Sequence, residues 1–133
     1  MDFLADLSNL ESMMGYLRSE ALRYGMEEKA QLKMELACEE ALVNIISYAY
    51  PKKKGPLSIT CSSKGQRFEI ILRDQGLPFN PIDAEINPQL DKSVLDRRIG
   101  GLGIFLIRKA IDEAYYQRIE NENVLRLTFS LRC

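Results

Sequence analysis

The sequence predicts an α+β fold, a two-layer α/β sandwich. About four mostly antiparallel strands form the sheet, and three main helices cover one face of it. Three observations predict this. Apolar residues recur at helical spacing in two long stretches near the start. Two later pairs of segments alternate apolar and polar residues, each pair joined by a short polar turn. The order α-α-β-β-loop-α-β-β leaves few crossovers, which favours antiparallel pairing. With 133 residues, the whole chain 1–133 is expected to be a single domain with a core of its own.

The first helix is expected from about Ser8 to Tyr24. Leu10, Met13, Met14, Leu17, Ala21 and Leu22 recur along it, Ser8 or Asn9 stands where a cap belongs, and Gly25 ends it. The second is expected from about Glu27 to Tyr50, stopping at Pro51, because the residue before proline is pushed out of the helical region. Lys52-Lys53-Lys54-Gly55-Pro56 reads as a solvated loop. Leu57, Ile59 and Cys61 alternate with Ser58, Thr60 and Ser62, and Phe68, Ile70 and Leu72 with Glu69, Ile71 and Arg73. Lys64-Gly65-Gln66 between them completes an antiparallel hairpin. No period persists from Asp74 to Gly103, a stretch rich in glycine and proline. A loop of that length in a compact domain is usually functional or disordered. A short apolar helix follows from Ile104 to about Asp112, then a strand near Ala114–Glu120 and a turn at Asn121-Glu122-Asn123. In the last strand, Leu125, Leu127, Phe129 and Leu131 alternate with Arg126, Thr128, Ser130 and Arg132.

Composition narrows the function. Lys+Arg is 18 against Asp+Glu 19, a net charge of -1. No basic excess points to a nucleic-acid backbone. There is no histidine. That excludes a Ser-His-Asp triad, a histidine metal site, a phospho-accepting histidine and a histidine general base, and leaves any chemistry to carboxylates, Lys, Arg, Ser, Thr, Tyr or Cys. Cys38, Cys61 and Cys133 share no C-x-x-C spacing and fit a reducing compartment better than a disulfide framework. The start of the chain has no signal-peptide pattern, and no apolar run is long enough for a membrane span. The expected location is the cytoplasm.

Three features have chemical potential. In the second helix, Leu32, Leu36, Val43, Ile46 and Tyr50 cluster on one side. Leu42, Ala49, Cys38, Ile45 and Met34 carry the apolar surface much further round, so the helix should be largely buried. Within it Lys33, Glu40, Asn44 and Ser47 form a narrow polar stripe. Glu40 and Asn44, four apart, face the same way. They form either an ordinary hydrogen bond at a solvated edge or a carboxylate base beside an oxygen ligand for Mg²⁺. Asp74-Gln75-Gly76 ends a strand, as a simple turn also would. Gly100-Gly101-Leu102-Gly103-Ile104 opens a helix. It is either a flexible hinge or a set of free amides at a positive helix end that suits phosphate, with Arg97 and Arg98 just upstream. Lys52-Lys53-Lys54 and the acids Asp83, Glu85, Asp91 and Asp96 read as solvated charges.

Taken together, these motifs resemble a known family. Glu40-Ala-Leu-Val-Asn44 resembles the N box of the GHKL (Bergerat-fold) ATPases, Asp74-Gln-Gly76 their first glycine box and Gly101-Leu102-Gly103 their second. The phrases Glu39-Glu40-Ala-Leu-Val-Asn44, Asp74-Gln-Gly-Leu-Pro-Phe-Asn-Pro81 and Arg98-Ile-Gly-Gly-Leu-Gly-Ile-Phe-Leu-Ile-Arg108 are similar to the RsbW/SpoIIAB group of anti-sigma factors that are also serine/threonine protein kinases. The resemblance implies ATP and Mg²⁺ as cofactors. It implies Glu40 as the catalytic base, Asn44 as the Mg²⁺ ligand, and Asp74 as acceptor for the adenine amino group. Gly76 would make room for the ring. Gly100, Gly101, Leu102 and Gly103 would lie at the phosphates, with Arg98 approaching the γ-phosphate. It also implies an anti-anti-sigma (STAS) protein as phosphorylation partner, sequestration of a sigma factor, and a homodimer. The alternative is an ATP-binding partner-switch module without transfer activity. The histidine-kinase branch is disfavoured by the missing histidine.

Two positions depart from the pattern. Tyr48 stands where family members often carry histidine, and is expected to pack rather than react. Related ATPases often have threonine entering the last strand; here the turn offers Asn121 to Asn123. Thr128 has the wrong parity to replace it.

Overall fold

The computed structural model describes residues 1–81 and 111–132. The described elements are β1 (Asp2–Leu4), a 3₁₀ turn (Leu7–Asn9), α1 (Leu10–Arg23), α2 (Glu28–Tyr48), β2 (Pro56–Lys64), β3 (Arg67–Asp74), β4 (Glu113–Ile119) and β5 (Glu122–Ser130). The strands form one sheet in the order β1-β2-β3-β5-β4, and every pair is antiparallel. This is the expected α+β sandwich, with five described strands rather than about four. The additional one, β1, pairs through three residues with β2, too few to leave a period in the sequence.

The element ends differ from expectation for local reasons. Asp6, not Ser8 or Asn9, caps the opening turn by accepting from the Ser8 amide. Asn9 instead donates to the Leu4 carbonyl at 2.9 Å. Gly25, at φ +79, ends α1 as expected. The last turn is made by Glu120 (φ 43) and Asn121 (φ 69), two left-handed residues of the kind that match the twist of a two-residue hairpin. Asn123 is therefore inside β5, not in the turn. The predicted helix from Ile104 lies outside the described residues up to 110. Ile111 and Asp112 are not helical, and the Asp112 amide donates to the Thr128 carbonyl.

Register places Leu57, Ile59, Asp74, Leu72, Ile70, Phe68, Asn123, Leu125, Leu127 and Phe129 on one face of the sheet. The helices pack there. Met13, Leu17 and Ala21 of α1 and Met34, Ala37, Cys38, Ala41, Leu42 and Ile45 of α2 join those side chains in one core. The orientation of α2 corrects the sequence reading. Leu32 and Leu36, expected in its apolar cluster, are 59% and 57% exposed, while Ala37 and Ala41 are fully buried. A helix apolar on most of its surface does not reveal by period which side meets the sheet. Small residues settle it by allowing close approach. The polar stripe also divides: Asn44 is buried and Glu40 half-buried, while Lys33 and Ser47 are exposed. Among the described residues, no helix is long and apolar enough to cross a membrane.

Candidate functional site

The site is built where α2 meets the end of β3. Helical geometry sets Glu40 and Asn44 one turn apart. Asn44 is 1% exposed, and its Nδ2 donates to the Pro81 carbonyl at 3.2 Å. Its Oδ1 accepts no hydrogen bond among the described residues, so a hard oxygen donor is left over in a buried place. Tyr48, one turn further on, packs its ring against Phe79 with centroids 5.5 Å apart.

Asp74 ends β3 on the buried face at 3% exposure. Its Oδ1 accepts from the Gly76 amide at 2.9 Å and from Asn123 Nδ2 at 2.8 Å. Oδ2 accepts none among the described residues. Burial pushes the carboxyl pKa above its ordinary value; the bonds from Asn123 and Gly76 and the charge of Arg118 pull it back, and Glu122 raises it. Gly76 is required here: a Cβ would lie 2.7 Å from both the carbonyl carbon and Cβ of Ala49, and closer still to the Ala49 oxygen. The Leu77 amide donates to that same oxygen at 2.8 Å. Tyr50 braces the turn from beside it, with its hydroxyl accepting from the Gln75 amide at 2.6 Å and donating to the Pro56 carbonyl at 2.5 Å.

Register brings three further residues to this point. Asp74 faces Asn123 across β3–β5, and Asn123 faces Arg118 across β5–β4. Tyr116 lies two residues before Arg118 on the same face. Sequence reasoning assigned none of the three. The signal for Asn123 was present, since it shares the parity of Leu125, Leu127 and Phe129. Thr128 lies on the opposite face, beside Glu69 and Glu113. An open cleft of about 710 Å³ adjoins the turn, lined by Tyr50, Lys52, Lys53, Gly76, Leu77 and Arg118 among others. Among the described residues, no group of three His, Cys, Asp or Glu side chains could hold a metal ion. The structure thus brings Asp74 and Gly76 together against the end of α2, and places Asn44 buried on that helix with Pro81 as its partner. Arg98, Gly100, Gly101, Leu102 and Gly103 lie outside the described residues.

The fold is a two-layer α+β sandwich with a buried strand-end aspartate beside a glycine turn, packed against a helix that carries a buried asparagine. The chain belongs to the histidine kinase-like ATPase domain family, whose profile matches residues 3–129. Among curated proteins it is 30% identical to the serine/threonine-protein kinase BtrW of Bordetella bronchiseptica, over 85% of this chain and 80% of that one. It is 29% identical to the serine-protein kinase RsbW of Bacillus mycoides, over 84% and 72%. Among solved structures it matches the histidine kinase AdeS of Acinetobacter baumannii with a TM-score of 0.54 and 14% identity, covering 98% of this chain and 68% of that one. It matches the catalytic domain of the histidine kinase ThkA with a TM-score of 0.53 and 16% identity, covering 99% and 95%. These two likenesses concern the fold.

Proposed function

We propose that the protein is a Mg·ATP-dependent serine/threonine kinase of the anti-sigma-factor type. The observation that carries the nucleotide reading is Asp74: a buried carboxylate with one oxygen tied down and the other open to a donor. That matches an adenine amino group. The similarity to RsbW and BtrW supports protein-hydroxyl phosphorylation. The partner would be a small STAS-type anti-anti-sigma protein, with a sigma factor sequestered in turn by a homodimer in the cytoplasm.

Each residue has a role that suits its chemistry. Asp74 accepts the adenine amino hydrogen, and Gly76 keeps the turn close to Ala49. Asn44 fits Mg²⁺ because its amide nitrogen is occupied by Pro81, leaving the hard oxygen. Mg²⁺, when bound, neutralises phosphate charge. Glu40 takes the proton of the attacking Ser or Thr hydroxyl as its oxygen bonds to the γ-phosphorus and the bond to the β-phosphate oxygen breaks, releasing ADP. Arg98 and the Gly100–Gly103 amides would hold the phosphates. Such transfer needs mostly positioning and charge compensation.

The test combines the chain with γ-labelled ATP and candidate STAS proteins. Label on a Ser or Thr of the STAS protein is expected. Nucleotide binding without any transfer would leave a partner-switch module instead. Glu40→Ala should keep ATP binding and lower transfer by at least about 100-fold. Asn44→Ala should remove most of the magnesium dependence of ATP binding, measured by titration with and without Mg²⁺. Loss of binding in the first variant, or unchanged magnesium dependence in the second, would contradict these roles.

A further inference from the structure

Asn123 is 2% exposed and its side chain is fully engaged with protein groups. Its Nδ2 donates to Asp74 Oδ1 at 2.8 Å and to the Leu77 carbonyl at 2.7 Å. Its Oδ1 accepts from the Tyr116 hydroxyl at 2.5 Å, the Phe79 amide at 3.2 Å and Arg118 at 3.2 Å. A side-chain amide offers two donors and one acceptor oxygen. Nothing remains to contact a ligand, so any influence on binding must pass through the groups it holds: Asp74, and Leu77 and Arg118 at the cleft.

We propose that Asn123 is a positioning residue. It fixes the Asp74 carboxylate so that Oδ2 faces the base, and thereby makes the site prefer a 6-amino purine over a 6-oxo purine. This rests on the nucleotide reading above. Three donors surround Asn123 Oδ1 and two acceptors surround its Nδ2, so the amide has a single satisfied orientation. That orientation presents a donor to Asp74. With the Gly76 amide, it ties Oδ1 twice and prevents the carboxylate from turning. An ionised carboxylate only accepts hydrogen bonds. A purine amino group therefore satisfies Oδ2, whereas a purine carbonyl at the same place would set one acceptor against another. Arg118 reinforces the arrangement by also donating to the Gly76 carbonyl at 2.8 Å, which holds the turn and the amide to one strand.

The test is the ratio of ATP to ITP affinity, measured by calorimetry on the full chain with Mg²⁺. The unaltered protein should favour ATP by at least about tenfold, as expected for a hydrogen bond to a charged group. Asn123→Ala should bring the ratio below about threefold. Tyr116→Phe, which removes one donor to Asn123 and little volume, should narrow it partially and decides the matter if Asn123→Ala does not fold. A merely structural role would weaken both nucleotides alike. An unchanged ratio in the folded variants overturns the proposal, as does an unaltered protein that binds both nucleotides equally. A protein that binds neither overturns the nucleotide reading itself, a result distinct from a lost preference.

Discussion

Asp74 sits where its charge is unfavourable for folding. Burial raises its pKa above the ordinary 3.8 even against its hydrogen bonds. A carboxyl whose folded pKa is raised favours folding in its protonated form. Its contribution is complete below 3.8 and lost as pH rises through the folded value. At pH 7 the ionised group opposes folding. Asp74→Asn should therefore melt higher than the unaltered chain at pH 7, with the gain shrinking as the pH falls through the raised folded value towards 3.8 and level below that. The same variant should lose its preference for ATP. Thermal scans across pH check this; a gain that grows in acid would contradict it. At this scale the sequence singled out residues that resemble a family motif, Glu40, Asn44, Asp74 and Gly76, while their spacing alone fitted an ordinary helix edge and a turn equally well. Asn123 was not among them, because a polar residue beside a turn reads as loop until the register puts it opposite Asp74. Tyr116 and Arg118 depend on a second register, between β4 and β5, that no local pattern encodes.

At the scale of elements, α2 and the β3 turn are held together through backbone rather than side chains. The Leu77 amide meets the Ala49 carbonyl, and Gly76 lies against the same peptide unit. Gly76→Ala should force the helix end and the turn apart. The expected loss is about 1–3 kcal/mol, read as a lower denaturant midpoint, together with loss of nucleotide binding. A midpoint equal to that of the unaltered chain would show that the contact can yield. Strand pairs and helix lengths were largely legible, since alternation and helical period are local signals. The facing of α2 was not, because its apolar residues extend well beyond a single side. β1 was missed because it gains its structure from β2 alone.

For the molecule as a whole, the sheet order means that neither half of the chain contains the site. Ligand that binds only the folded state should stabilise it by about 2.7 kcal/mol at 100 times its dissociation constant. Saturating Mg·ATP should slow unfolding in denaturant and leave the refolding rate unchanged, if contacts to the base form after the folding barrier. Stopped-flow measurements with and without nucleotide check it; faster refolding with ATP would place the site in the folding nucleus.

The bond between Asp74 and Asn123 joins residues 49 apart in the chain. During synthesis, Asp74 leaves the ribosome well before β5 exists to orient it. A nascent chain ending short of Asn123 would carry Asn44, Asp74 and Gly76 without the side-chain amide that ties Asp74 Oδ1. Under the proposed roles of Asp74 and Asn123, selection of the purine amino group would therefore depend on β5 having been made and docked beside β3.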